Sequence, residues 1–418
     1  RWYMDLNAAS NKLVIGMSMS SVREHVLYVR EPGALYPPGK VEVGFYIMMF
    51  EGEDYVHNPW RPILNFLWNR WGLPLFRDGK PLSQPLDIYT DYTYQWAFQN
   101  WKSEVWQEFE LNGRAVGAPT FIVNVTQSPN YPGEVNEREF RSIWNQAWFS
   151  SLRAAQGLFR YAQEKGRDDY LQMALKTKEL ALSAPQVNGF FPAVIATEME
   201  ELRINDQVVN RSKGWQTLYW GNSNRNPITP WGSIKKAPYH VLDMSWTALT
   251  MLRWYDELEK DERLLQYAIR YGNALLNLQD DRGFFPSWLD CDTCVPYEIL
   301  GESPETSLSV TFLLKLYELT DNSRYFDAAI KAMNIVIKEV IPEGRWEDFE
   351  TYWSCSPYGR QSHVGQKIKR NNMYKQCNFS IFWTAEALLS CFEATGDQMY
   401  LRMGERCIDE LLMSQATW

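Results

Sequence analysis

The sequence predicts a mainly α fold of helical hairpins packed side by side, preceded by a small β-rich segment. Three observations predict it: a turn motif that recurs between helical stretches, apolar residues at helical spacing on both sides of that turn, and a second motif where hairpins end. With 418 residues and 45% apolar content, the chain is long enough to bury a full core and more than one domain.

Taken in order, residues 22–50 carry the β-rich runs Glu24–Arg30 and Val41–Phe50, separated by Glu31-Pro32-Gly33 and Pro37-Pro38-Gly39, which are turn formers. They read as the last strands of a β-domain, so the expected division is a β-rich segment at 1–54 and a helical domain at 55–418. From residue 55 the period changes. Val56–Trp71 and Pro85–Trp101 read as helices, and Val105–Val125 as a β-excursion.

The repeat follows. Gly166-Arg-Asp-Asp-Tyr170-Leu171, Asp321-Asn-Ser-Arg-Tyr325-Phe326 and Gly396-Asp-Gln-Met-Tyr400-Leu401 are one pattern, with a diverged copy at Leu264-Leu265-Gln266-Tyr267-Ala268. Helical spacing flanks it, as in Met244, Thr247, Ala248, Met251 and Leu252 before the third turn and Leu265, Ala268, Ile269, Gly272 and Leu275 after it. The exits also recur: Gly189-Phe-Phe-Pro192, Gly283-Phe-Phe-Pro286 and, more loosely, Gly344-Arg-Trp346. Counting the pair at 56–101 gives five hairpins. A closed ring needs about one more, or is smaller.

These turns, exits and the preceding β-segment resemble the six-hairpin (α/α) toroid glycosidases and polysaccharide lyases, over roughly residues 55–418. The resemblance implies an (α/α) toroid, incomplete by one hairpin here, and a carbohydrate-active protein. It implies nothing about the reaction, because the repeats mark scaffold.

Composition points the same way. The 19 Trp, 23 Tyr and 20 Phe exceed the needs of a core, and sugars stack their C–H faces on such rings. Two insertions, 198–240 and 346–378, join hairpin exits to entrances and are expected over one rim. From Gln207 to Leu242 no Asp or Glu occurs, yet Arg211, Lys213, Arg225, Lys235 and Lys236 lie among Trp215, Tyr219, Trp220 and Tyr239; from Thr351 to Ala385, Arg360, Lys367 and Arg370 lie near Tyr374. Acid-free, basic, aromatic loops suit a uronic-acid-containing glycan.

Glycoside cleavage needs one carboxyl to protonate the leaving oxygen and another to activate water or attack. Asp243, Glu305 and the region of Asn378 fall at equivalent helix entrances, where a carboxylate also serves as an N-cap. His240, three residues before Asp243, is a titratable neighbour and one of only four His. The expected catalytic set is therefore Asp243, Glu305 and His240. Trp215, Tyr219, Trp220, Arg225, Tyr239, Arg360, Tyr374 and Asn378 are expected to bind substrate, joined by Trp106 and Glu108 from the β-excursion. Elimination uses other groups, a Tyr or His base beside a cation or amide, and Tyr239, His240, Tyr374, Asn371, Asn372 and Arg370 supply them. A non-catalytic glycan-binding protein is the third reading.

Cys391 and Cys407 fall on apolar helical faces as buried thiols. Cys291, Cys294, Cys355 and Cys377 lie in exit loops, where disulfides, free thiols and a zinc site are all open. No metal or cofactor is expected. A net charge of −9 argues against nucleic acid, and no apolar run is long enough to span a membrane. No signal segment is legible and both ends read as cut. A periplasmic or secreted bacterial location is the expectation that accompanies glycan degradation.

Overall fold

The computed structural model describes residues 2–17, 20–24, 27–30, 35–40, 42, 44–79, 85–120, 141–147, 149–204, 206–230, 232–353 and 364–414. They form two compact units, residues 82–333 and residues 1–81 with 334–418.

In the unit of residues 82–333, hairpins pair Ser151–Lys165 with Asp168–Leu182, Val241–Glu257 with Glu262–Leu276, and Thr306–Thr320 with Ser323–Ile335. The helices Val241–Glu257 and Thr306–Thr320 are buried around most of their surface, so their small hydroxyls must find partners inside. Ser245 Oγ does so, 2.8 Å from the Tyr271 hydroxyl and 3.0 Å from Ser309 Oγ. The amphipathic second helix Glu262–Leu276 buries a stripe made of Leu264, Leu265, Ala268, Tyr271, Gly272 and Leu275.

The turn motif has a backbone cause. Gly166, Asp321 and Gly396 are left-handed C-caps, at φ 64°, 57° and 73°, whose N–H donates to the carbonyl four residues back. That conformation stops a helix while satisfying a terminal carbonyl. The diverged copy instead ends at Leu258, with φ −116°, and Asp261 caps the next helix by accepting from Arg263 N. The motif tyrosines Tyr170, Tyr325 and Tyr400 are buried. Tyr325 Oη donates to Asn273 Oδ1 at 3.0 Å, tying successive second helices together.

The exit glycines are explained by close approach. A Cβ on Gly189 (φ 88°) would lie 2.7 Å from the Arg270 carbonyl oxygen, and one on Gly283 (φ 124°) 2.9 Å from that of Lys331. A glutamine fastens each exit. Gln186 Nε2 donates to the carbonyls of Gly189 and Tyr267, and Gln279 Nε2 to those of Gly283 and Ala328.

Small sheets fill the space beside the hairpins. Leu218–Gly221, Val194–Thr197 and Ser142–Trp144 form a three-stranded antiparallel sheet in that order. The expected β-excursion is the antiparallel pair Trp106–Leu111 and Arg114–Pro119; residues 121–125 lie outside the described residues. The insertion 198–240 holds another pair, Met199–Ile204 with Gln207–Ser212.

The unit of residues 1–81 and 334–418 carries strand pairs at Trp2–Asn7 with Lys12–Met17 and Ser20–Glu24 with Leu27–Arg30. It also holds the helices Trp60–Leu67 and Leu73–Gly79 and the hairpin Asn378–Thr395 with Gln398–Leu412. Two expectations are corrected. Residues 42 and 44–50 of the run Val41–Phe50 are in no strand, because no strand among the described residues pairs with that apolar run. The helices expected at Val56–Trp71 and Pro85–Trp101 fall in different units, the latter as Leu86–Gln95. Each runs into a π-turn, Trp68–Gly72 and Trp96–Asn100, instead of the left-handed cap seen at Gly166, Asp321 and Gly396.

Candidate active site

Two helix entrances in the unit of residues 82–333 converge on one imidazole. The strand Tyr239–His240 pairs with Trp288–Leu289, placing His240 opposite Trp288. The chain then turns directly into the helix Val241–Glu257, so Asp243 stands in its first turn. Glu305 stands at the N-terminus of Thr306–Thr320. His240 Nδ1 lies 3.0 Å from Asp243 Oδ2 and Nε2 lies 3.0 Å from Glu305 Oε2, with all three side chains 2–3% exposed. The indole of Trp288 stacks on the imidazole at 3.9 Å and 7°. Asp243 Oδ1 accepts from Ala147 N at 2.9 Å, which fixes the carboxylate against rotation.

The electrostatics follow from this geometry. Burial by itself lowers the His240 pKa, but attraction and hydrogen bonding from Asp243 and Glu305 outweigh it and raise the pKa to about 10. His240 is therefore an imidazolium at neutral pH, donating from both nitrogens. Both carboxyl groups stand at helix N-termini, whose dipoles favour negative charge.

The other expected site residues are placed as follows. Tyr239 is buried beside His240, and burial raises its pKa. Trp215 stacks on Phe109 at 5.2 Å and 4°, and with Trp220 packs against a core of Val116, Ala118, Ile143, Leu180 and Ile195. Tyr219 lies under Lys235 Nζ, 4.3 Å from its ring centre, and burial raises its pKa to about 12. The Arg225 guanidinium lies over Trp144, at 5.4 Å. Trp106 Nε1 donates to Glu108 Oε2, and Lys176 pairs with Glu108; these bonds hold the Glu108 pKa below the usual range. Trp106 and Glu108 thus strut the β-excursion against the helix Asp168–Leu182.

In the other unit, Tyr374 is flanked by the Arg345 and Lys367 cations, at 5.4 and 5.0 Å from the ring centre. Asn378 Nδ2 donates to Ser414 Oγ at 2.9 Å. Arg360 lies outside the described residues. The carboxylate serving that hairpin's entrance is Asp348, which accepts from Ser380 N through Oδ2 and from Glu350 N and Thr351 N through Oδ1.

The basic character of the insertions is tempered by tertiary pairing. Lys235 pairs with Glu198, Lys236 with Asp292 at 3.8 Å, and Lys367 with Glu343 at 2.7 Å. Each acid lies outside the acid-free window that holds its lysine.

Sequence reasoning missed three contributors: Trp288, the Ala147 amide and Asp348. Trp288 follows the Gly283-Phe-Phe-Pro286 exit by two residues, a fixed offset that was a usable signal. The Ala147 amide left no signal, since any residue supplies one. Among the thiols, Cys391 and Cys407 are buried, and Cys291, Cys294 and Cys377 are free; Cys355 lies outside the described residues. No cluster of metal-ligating side chains forms among the described residues, and no helix there is long and apolar enough to cross a membrane.

No family model matches the chain, and no curated protein does. Among solved structures it is similar to a GH76 alpha-mannanase of Bacteroides thetaiotaomicron, with 12% identity and a TM-score of 0.40 over 73% of this chain and 64% of that one. An unsaturated glucuronyl hydrolase of Bacillus sp. GL1 gives 13% identity and a TM-score of 0.37 over 64% of this chain and 60% of that one. A possible GH105 member of Salmonella enterica gives 12% identity and a TM-score of 0.37 over 85% of this chain and 83% of that one. The chain spans less than two thirds of the first two.

Proposed function

We propose that the protein degrades glycans as a glycoside hydrolase, with Asp243, His240 and Glu305 as its reactive centre. The observation that carries this reading is the imidazolium gripped by two carboxylates from neighbouring helix entrances. If the imidazolium gives a proton to one carboxylate, the trio becomes a carboxylic acid, a neutral imidazole and a carboxylate. Those are the acid and base that acetal hydrolysis requires.

In the proposed reaction the carboxylic acid protonates the leaving oxygen as the glycosidic C–O bond breaks. Water adds to the anomeric carbon and loses its proton to the carboxylate. The proton then leaves that carboxylate for solvent while the vacant nitrogen of His240 takes one up, restoring the imidazolium and both carboxylates.

The proposed substrate is an acidic, uronic-acid-containing glycan. Arg211 and Lys213, which no carboxylate pairs among the described residues, support it. Incubation with uronate-containing oligosaccharides should release new reducing ends without near-ultraviolet absorbance. Glu305→Gln should lower the rate by at least about a hundredfold. An unsaturated, absorbing product assigns elimination instead, and unchanged substrate with measurable binding assigns a glycan-binding protein.

A further inference from the structure

A cavity in the unit of residues 82–333 is lined by none of Asp243, His240 and Glu305. It encloses about 390 Å³ between the helix Leu86–Gln95 and the start of Ser151–Lys165, within the roughly 300–1,000 Å³ of small-molecule pockets. Its walls include Trp144, Phe149 and Tyr94, with Trp144 and Phe149 edge to face at 5.7 Å. Gly157, Ala154 and Arg153 are its exposed lining. At Gly157 the missing side chain keeps space open, since a Cβ there would stand 3.1 Å from the Tyr94 hydroxyl.

Two side chains here have polar groups with no hydrogen-bond or ion-pair partner among the described residues. The Tyr94 hydroxyl makes no hydrogen bond among the described residues, and burial raises its pKa, keeping it a neutral donor. The Arg153 guanidinium lies over the Trp246 ring at 5.5 Å, with no carboxylate paired to it. The Ser150 and Ser151 hydroxyls, by contrast, are spent on the helix cap and on the Trp144 carbonyl. Along the chain, Trp144 is three residues from Ala147, whose amide holds Asp243.

We infer that this cavity is a subsite for a carboxylate-bearing pyranose, whose apolar face meets the half-buried Phe149 ring, whose carboxylate pairs with Arg153 and whose hydroxyl meets Tyr94. Rings give the apolar face of a sugar its contact, and a planar guanidinium matches a carboxylate with two parallel bonds. The inference rests on the carbohydrate reading above and adds the place where the acidic residue of the chain is read.

The test is titration of the whole protein with methyl glucuronide and methyl glucoside, followed by calorimetry or ligand-observed NMR. The glucuronide should bind at least about tenfold more tightly. Arg153→Gln, at an exposed position, should erase that preference, and Gly157→Val should weaken both sugars with an unchanged melting profile. Equal affinity for the two sugars, no binding of either, or a preference that survives Arg153→Gln overturns the subsite. A methyl glucoside 6-sulfate that binds as well as the glucuronide overturns its selectivity for carboxylate. Glycan cleavage that persists in Glu305→Gln while the binding pattern holds defeats the proposed reactive centre and leaves the subsite standing.

Discussion

At the scale of single residues, His240 is the group on which the most depends. Its folded-state pKa of about 10 exceeds its ordinary 6.5, so protonation favours the folded state. The resulting stability is fully present below pH 6.5, declines between 6.5 and 10, and is gone above that window. Thermal unfolding followed from pH 6 to pH 10 should show that decline in the native protein and a shallower one in His240→Asn. An equal slope in both would assign the decline to other groups. Asp243 holds the ring from one side and the Ala147 amide from the other. Asp243→Asn keeps the shape but withdraws one counter-charge, so the alkaline limit of activity should move to lower pH. A pH–rate profile for wild type and variant measures this. Little of this site was legible as geometry. Spacing placed Asp243 and Glu305 at helix entrances, but a residue between them is a relation across 65 positions of chain.

At the scale of elements, the recurring glycines differ in what they do, and substitution should separate them. Gly396 is a left-handed helix end with open space around its missing side chain, so Gly396→Ala should cost only about 1 kcal/mol, for backbone conformation. Gly283 adds a steric conflict, because a Cβ would press on the Lys331 carbonyl. Gly283→Ala should therefore cost about 1–3 kcal/mol and exceed the loss at Gly396. Urea unfolding of both variants compares them directly. The hairpins were legible because cap, apolar spacing and exit all repeat in the chain. The run at 41–50 was not, because an apolar stretch becomes a strand only where another strand accepts its hydrogen bonds.

At the scale of the whole molecule, the ends of the chain meet within one unit. Asn58 Nδ2 and Arg61 Nε both donate to the buried Asp409 Oδ2, joining positions 351 and 348 residues apart. Asp409→Ala should cost about 1–2 kcal/mol, a buried ion pair discounted because Arg61 is half exposed. Hydrogen exchange should rise in Trp60–Leu67 and Gln398–Leu412, while Val241–Glu257 in the other unit keeps its protection. Faster exchange in both units would show that they open together.

By itself, the sequence determined the helical hairpins, the recurring turns between their helices, the glycine exits and the presence of carboxylates where helices begin. These are local properties: backbone conformation and periodicity are set by neighbours a few residues away. Only the tertiary structure decided that His240 binds Asp243 and Glu305 at once, that Trp288 covers its ring, and that distant acids neutralise lysines of the acid-free loops. Charge and burial act through space over a few ångströms, and the fold alone sets which residues come within that distance.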